Sequence, residues 1–183
     1  MLGRAPILDF DGTITRLPVD WPRLRADLGV PRLSKLWSAS TESWGVVKDA
    51  EVAAARLAAP IEAVVEALGD VEAFAIITNN SSLAVHAFVQ RFPDIHTRLH
   101  LVVGREELSG PKQRFPHFAA AIRLCQASLN GFLEDGRRCY LGDEEYELRF
   151  SSDLGLRAMD VRDVVAASAG RTNRDLSERH GSA

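Results

Sequence analysis

Lysine is scarce in this chain: Lys35, Lys48 and Lys112 are the only three among 183 residues. No basic block forms and the formal net charge is −3, so no nucleic-acid partner is expected. Cysteine is scarcer still, at Cys125 and Cys139 alone. Two such residues cannot build a disulfide framework and lack metal-site spacing, so buried thiols in a reducing compartment are expected. No apolar run approaches the about 20 residues that span a bilayer, which excludes a membrane-spanning role and gives no reason to expect a membrane partner. The first residues carry one arginine, and the apolar stretch after them breaks at Asp9. That does not fit a signal peptide of the usual form, and a cytoplasmic location is the expectation. Internal repeats and low-complexity tracts are missing too.

What is present suits a globular fold. Apolar residues make up 46% and charged residues 26%, enough for one cored domain, or one domain with a small insertion. Short apolar runs recur, each ending in a small or polar residue: Pro6 to Phe10, Phe74 to Ile77 before Thr78, Leu99 to Val103 before Gly104, Arg138 to Leu141 before Gly142, and Leu156 to Val161. Helical patterns fit Ser82 to Arg91, Phe115 to Ala127 and Glu144 to Leu154. Strands alternating with helices imply an α/β, Rossmann-like parallel sheet covered on both faces.

The stretch between Thr15 and Asp70 is helical almost throughout. Asp20 can cap a helix with Pro22 in its first turn, ending near Gly29. A second helix fits Ser34 to Trp44 and a third Lys48 to Ala59. A fourth begins at Pro60 and stops at Gly69. One helix suffices for a crossover, so the surplus reads as a small α-helical cap inserted after the first strand. The expected organisation is a core of residues 1–15 and 70–166, a cap with its connecting helix at 16–69, and a frayed tail at 167–183.

Ligands of such sheets bind at the carboxyl ends of the strands, where Asp9, Asp11, Thr78 and Asp143 stand. Side chains two apart on an extended chain point the same way, so Asp9 and Asp11 can face one site. Gly12 allows a sharp turn just after them. Two close carboxylates repel each other, and a phosphate still more, unless a hard cation such as Mg²⁺ lies between them.

The string Ile7-Leu8-Asp9-Phe10-Asp11-Gly12-Thr13 resembles the first motif of the haloacid dehalogenase-like (HAD) superfamily, an apolar strand followed by Asp-x-Asp-Gly-Thr. The resemblance implies that Asp9 is a nucleophile forming an aspartyl-phosphate, and that Asp11 is the general acid and base. It also implies that Asp9 binds Mg²⁺ through its carboxylate and Asp11 through its backbone carbonyl. Dehalogenases of the same fold lack the second acid, because a halide leaves without a proton. Ala75 to Ser81 is similar to the second motif, with Thr78 and Asn79 expected to hold phosphoryl oxygens. Lys112 is similar to the third-motif lysine that offsets phosphate charge, although Gln113 follows where the family often has proline. Tyr140 to Glu147 resembles the fourth motif: Asp143 is an expected metal ligand, and Glu147 a second ligand or the residue that orients Lys112. Glu144 is a rival to Glu147, where the family more often has Asp.

Together these imply a Mg²⁺-dependent phosphomonoester hydrolase acting on a small-molecule phosphomonoester. The alternatives are a phosphomutase or phosphotransferase using the same acids, and a catalytically degenerate binding module. The small cap implies either an accessible site tolerant of bulky phosphomonoesters, or a homodimer that completes the enclosure. Trp21, Trp37 and Trp44 all fall in the cap, and Trp37 and Trp44 are expected to share one helical face and to pack the cap or a second copy. His86, His96, His100 and His117 are not expected to bind zinc, nor Lys35 or Lys48 to form a Schiff base.

Overall fold

The computed structural model describes residues 2–38, 41–132 and 138–180. Five strands form one parallel sheet: β1 (Ile7–Leu8), β2 (Phe74–Ile77), β3 (Leu99–Val103), β4 (Cys139–Gly142) and β5 (Arg157–Asp160). Their order across the sheet is β3-β2-β1-β4-β5. The chain winds outward from β1 in one direction and then returns to place β4 on its other side. That reversal opens a crevice beyond the carboxyl ends of β1 and β4. Register fixes what the crevice contains. Leu8 pairs with Leu141, and the Asp9 N–H donates to the Leu141 carbonyl at 2.9 Å, so the residues after both strands emerge side by side.

Successive side chains of a strand face opposite ways, and the sheet accordingly sorts its apolar residues into two cores. Leu8, Phe10, Phe74, Ile76 and Leu141 pack on one face with α3 (Glu62–Leu68), α4 (Ser82–Val89) and α8 (Val161–His180). Ile7, Ala75, Ile77 and Tyr140 pack on the other, chiefly against Phe118, Ala121, Ile122 and Cys125 of α6 (Phe115–Ser128). Two short helices, α5 (Pro93–His96) and α7 (Glu145–Asp153), complete the alternation. The α/β architecture expected from the alternating pattern is the one observed.

Between β1 and β2 lie α1 (Trp21–Asp27), a 3-10 turn at Leu33–Ser38, and α2 (Thr41–Ala55), followed by α3. Asp20 caps α1 as expected, its Oδ1 accepting from the Arg23 N–H at 3.0 Å. The expected helices at Ser34–Trp44 and Lys48–Ala59 are divided differently. The first is only the 3-10 turn, and the second starts earlier, at Thr41, where Glu42 favours a helix amino end. The two ends of the insertion are stitched together, since the Thr15 hydroxyl donates to the Ala59 carbonyl at 2.7 Å and the Ile61 N–H to the Ile14 carbonyl at 2.8 Å. A third apolar cluster, Leu24, Leu36 and Val47, lies within the insertion.

In the carboxyl-terminal segment, where a tail was expected at 167–183, α8 runs to His180. Val161 and Val164 seat its first turns in the core, and the Ser168 hydroxyl donates to Glu66 Oε2 at 2.9 Å. Once a helix is nucleated by packing, adding further residues is favourable even with few apolar side chains. Residues 181–183 lie outside the described part. Both cysteines are buried and free, and burial pushes the thiols up, Cys125 to about 12. No described helix is long and apolar enough to cross a membrane.

Phe88 is fully buried with its ring 5.5 Å from that of Phe10, edge to face. Phe88→Ala is expected to lower unfolding free energy by about 3–5 kcal/mol. Urea unfolding followed by circular dichroism measures it, and a loss below about 1 kcal/mol would mean that this side of the core repacks.

Candidate active site

Asp9 follows β1 directly and Asp143 follows β4, which brings both carboxylates into the crevice. Gly12, in the left-handed region at φ 92°, passes so close that a Cβ there would overlap the Asp143 carboxylate. Lys112 enters from the loop before α6, and its Nζ contacts both Asp9 Oδ1 and Glu147 Oε1. Glu147 sits one turn into α7 and is fully buried. It also accepts from the Tyr140 hydroxyl at 3.1 Å and the Tyr146 hydroxyl at 2.9 Å. Gly142 makes this approach possible, since a Cβ there would meet the Glu147 carboxylate.

Asp9, Asp143 and Glu147 each bring a carboxylate oxygen within 4.8 Å of the others. Burial raises the Asp9 carboxyl well above the usual range, helped by Glu147 and opposed by Lys112. The same order holds at Asp143, where burial and then Glu147 and Glu144 raise the carboxyl. Burial alone would lower the Lys112 ammonium, but Asp9 and Glu147 outweigh it and the net shift is upward. Lys112 therefore stays charged. One ammonium among three carboxylates leaves negative charge uncompensated, and the buried Asp143 Oδ1 has no hydrogen-bond partner. An all-oxygen donor set with an orphaned oxygen fits a hard divalent cation. With three donors already on Glu147, Asp9 and Asp143 are the oxygens best placed to hold it.

Asp11 stands apart from this cluster. Its Oδ1 accepts from the Leu17 N–H at 2.8 Å, and burial raises its carboxyl. Thr78 is buried at the end of β2, its hydroxyl donating to Asn80 Oδ1 at 2.8 Å. Asn79 turns toward the Lys112 loop: its Oδ1 accepts from the Lys112 N–H at 3.0 Å, and its Nδ2 donates to Gln113 Oε1 at 3.2 Å. The Asn79 side chain thus braces the lysine loop, because both ends of the amide are engaged there. Of the two rival glutamates, Glu147 joins the buried cluster while Glu144 lines the cavity from an exposed position. No metal-competent group among the described residues includes a histidine; His100 instead packs edge-on against Phe132 at 4.6 Å. Neither Lys35 nor Lys48 lines the cavity.

Two residues that sequence reasoning passed over organise the opposite wall. Glu51 of α2 and Arg105, just after β3, form a bidentate ion pair at 2.8–2.9 Å, their side chains 2% and 6% exposed. Glu51 also accepts from Asn80 Nδ2 at 3.0 Å and the Ser81 N–H at 2.9 Å. The Arg105 guanidinium lies 4.3 Å from the centre of the Trp44 ring and donates to the Asn79 carbonyl at 3.1 Å. The insertion is thereby bolted to the loop that carries Thr78. A signal for Glu51 was present. It shares a helical face with Val47, Ala54 and Ala55, all buried, and a carboxylate on a buried face requires a partner.

The half-open space is about 240 Å³, below the ~300–1,000 Å³ typical of sites for drug-sized ligands. The acids form its floor, and Trp21, Leu33, Trp37 and Trp44 line it from the insertion. Trp37 and Trp44 meet edge to face, 5.6 Å apart at 71°. They do so across the junction between the 3-10 turn and α2 rather than along one helix. Packing was the use expected for them, but the tryptophans also face the cavity.

No family model matches the chain, and no curated protein matches it in sequence. Solved structures do resemble it. A haloacid dehalogenase-like family hydrolase from Streptococcus pneumoniae superposes with a TM-score of 0.55 at 14% identity, over 85% of this chain and 83% of that one. A protein from Thermotoga maritima, provisionally named a β-phosphoglucomutase, gives 0.53 at 15% identity over the same shares. L-2-haloacid dehalogenase from Xanthobacter autotrophicus gives 0.50 at 12% identity, over 85% of this chain and 76% of that one. The chain has the HAD-like fold, in agreement with the resemblance of its strand-end motifs.

Glu51→Ala would leave the Arg105 guanidinium buried without its carboxylate, and is expected to lower stability by about 3–5 kcal/mol in urea unfolding. Glu51→Gln combined with Arg105→Met should be the more stable of the two, because no charge is left unpaired. The reverse order would mean that the ion pair does not hold the insertion.

Proposed function

We propose that the chain is a Mg²⁺-dependent phosphomonoester hydrolase working through an aspartyl-phosphate on Asp9, with the insertion serving as its cap. The observation that carries this reading is the buried convergence of Asp9, Lys112, Glu147 and Asp143, with Asp11, outside that cluster, lining the same cavity. When bound by Asp9 and Asp143, Mg²⁺ supplies positive charge that offsets the phosphate and the carboxylates, and it opposes the upward shift that burial imposes on both acids.

Lys112 fixes Asp9 Oδ1, which leaves Oδ2 as the attacking oxygen. Attack forms the bond from Asp9 oxygen to phosphorus as the bond from phosphorus to the leaving oxygen breaks. Asp11, held by the Leu17 N–H and raised by burial, delivers a proton to that leaving oxygen. It then takes a proton from water as the water attacks phosphorus, which releases phosphate and restores Asp9. Halide displacement needs no such proton, so a protonatable Asp11 favours phosphate chemistry. Tyr140 and Tyr146 keep Glu147 aimed at Lys112. Burial, then Glu147, raises both phenols, so they remain O–H donors. Most of the acceleration comes from positioning and fixed charge, as phosphoryl transfer requires. A half-open cavity of about 240 Å³ suits a phosphate group together with the inner part of its leaving group.

Release of phosphate from p-nitrophenyl phosphate tests the reading. Activity is expected to require Mg²⁺ and to vanish with EDTA. Asp9→Asn should lose about 10⁴-fold or more in kcat, with an unchanged circular dichroism spectrum. Asp11→Asn should lose roughly 10²–10⁴-fold. Full activity in Asp9→Asn would remove Asp9 as the nucleophile and end the proposal.

A further inference from the structure

Two cations line the cavity among the described residues, and both are engaged by the chain's own carboxylates. Lys112 lies between Asp9 and Glu147, and Arg105 is gripped at both ends by Glu51. Asp11, Asp143 and the exposed Glu144 add further negative charge to the same space. Away from Asp9 the wall turns apolar, and the indoles of Trp37 and Trp44, set at 71°, make an aromatic corner. Arg105 already stacks on Trp44, which leaves Trp37, flanked by Trp21 and Leu33, as an aromatic surface for an incoming group.

We infer that the substrate is a compact phosphomonoester whose leaving group carries no second anionic group and lays an apolar or aromatic face against Trp37. This rests on the phosphohydrolase reading and narrows it. A carboxylate or second phosphate on the leaving group would enter a half-open space where Arg105 is already paired with Glu51 and the surrounding carboxylates repel it. The phosphate itself would escape that penalty, because a cation held by Asp9 and Asp143 would offset its charge beside the Lys112 ammonium. An uncharged leaving group has no such penalty and gains contact with the indoles.

Three probes separate these effects: phenyl phosphate, ethyl phosphate and phosphoglycolate, the last two differing chiefly in one carboxylate. Ethyl phosphate is expected to exceed phosphoglycolate in kcat/KM by on the order of 100-fold or more, with phenyl phosphate the best of the three. Trp37→Ala should lower kcat/KM for phenyl phosphate roughly 3- to 10-fold further than for ethyl phosphate, a differential that general loosening of the fold would not produce. Every tryptophan of the chain lines this cavity, so tryptophan emission reports occupancy independently of turnover. The same compounds are therefore titrated with Mg²⁺ against wild-type and Asp9→Asn protein. Emission changes in the same order, without turnover of any probe, would support the inference while removing the hydrolase reading. Comparable handling of phosphoglycolate and ethyl phosphate would overturn it, as would an emission unmoved by all three.

Discussion

A single ammonium group holds the centre of this molecule together. Lys112 is buried between Asp9 and Glu147, and no one of the three is tolerable in that position alone. Burial alone would favour the neutral amine, and the neighbouring Asp9 and Glu147 outweigh it, so Lys112 stays charged. The surrounding sequence serves that balance. Gly142 lets Glu147 come close, Tyr140 and Tyr146 occupy its lone pairs, and Asn79 fixes the backbone from which the lysine side chain departs. The central strands then set the third acid, Asp143, beside Asp9 and leave one of its oxygens without a partner. That the acids could hold a metal ion thus follows from where their oxygens lie, whatever motif the residues belong to.

A second buried ion pair governs the insertion in a comparable way. Glu51 and Arg105 bind each other in bidentate geometry, and Glu51 also satisfies Asn80 and Ser81. Asn80 in turn accepts from the Thr78 hydroxyl. The orientation of a strand-end hydroxyl in the sheet is therefore linked by two hydrogen bonds to a carboxylate in the insertion. Such pairs contribute more to defining one arrangement than to net stability, since desolvation consumes much of their attraction.

The sheet was legible in the sequence because its central strands, β1, β2 and β4, are buried on both faces and read as apolar runs closed by a small or polar residue. The strand-end acids were legible for a related reason: a charged side chain directly after such a run has few places to go except the ligand-binding end of the sheet. The junction before α2 was harder. Leu33 to Trp44 carries a helical spacing of apolar residues, but spacing alone does not reveal the break that turns Trp37 and Trp44 toward each other from different elements. The seating of the carboxyl-terminal helix by Val161 and Val164 is likewise a tertiary effect that composition does not display. Arg105 was invisible locally. Nothing in Gly104-Arg105-Glu106 announces a partner 54 positions earlier in the chain, and only the tertiary arrangement supplies it.

α2 belongs to two hydrophobic clusters at once. Val47 is packed with Leu24 and Leu36 inside the insertion, whereas Ala54 and Ala55 are packed with the sheet. A helix rooted in both places cannot swing as a hinged lid without tearing one of them open. The 3-10 turn ahead of it is rooted in the same two ways, with Leu36 in the insertion's own cluster and Trp37 against the second core of the sheet.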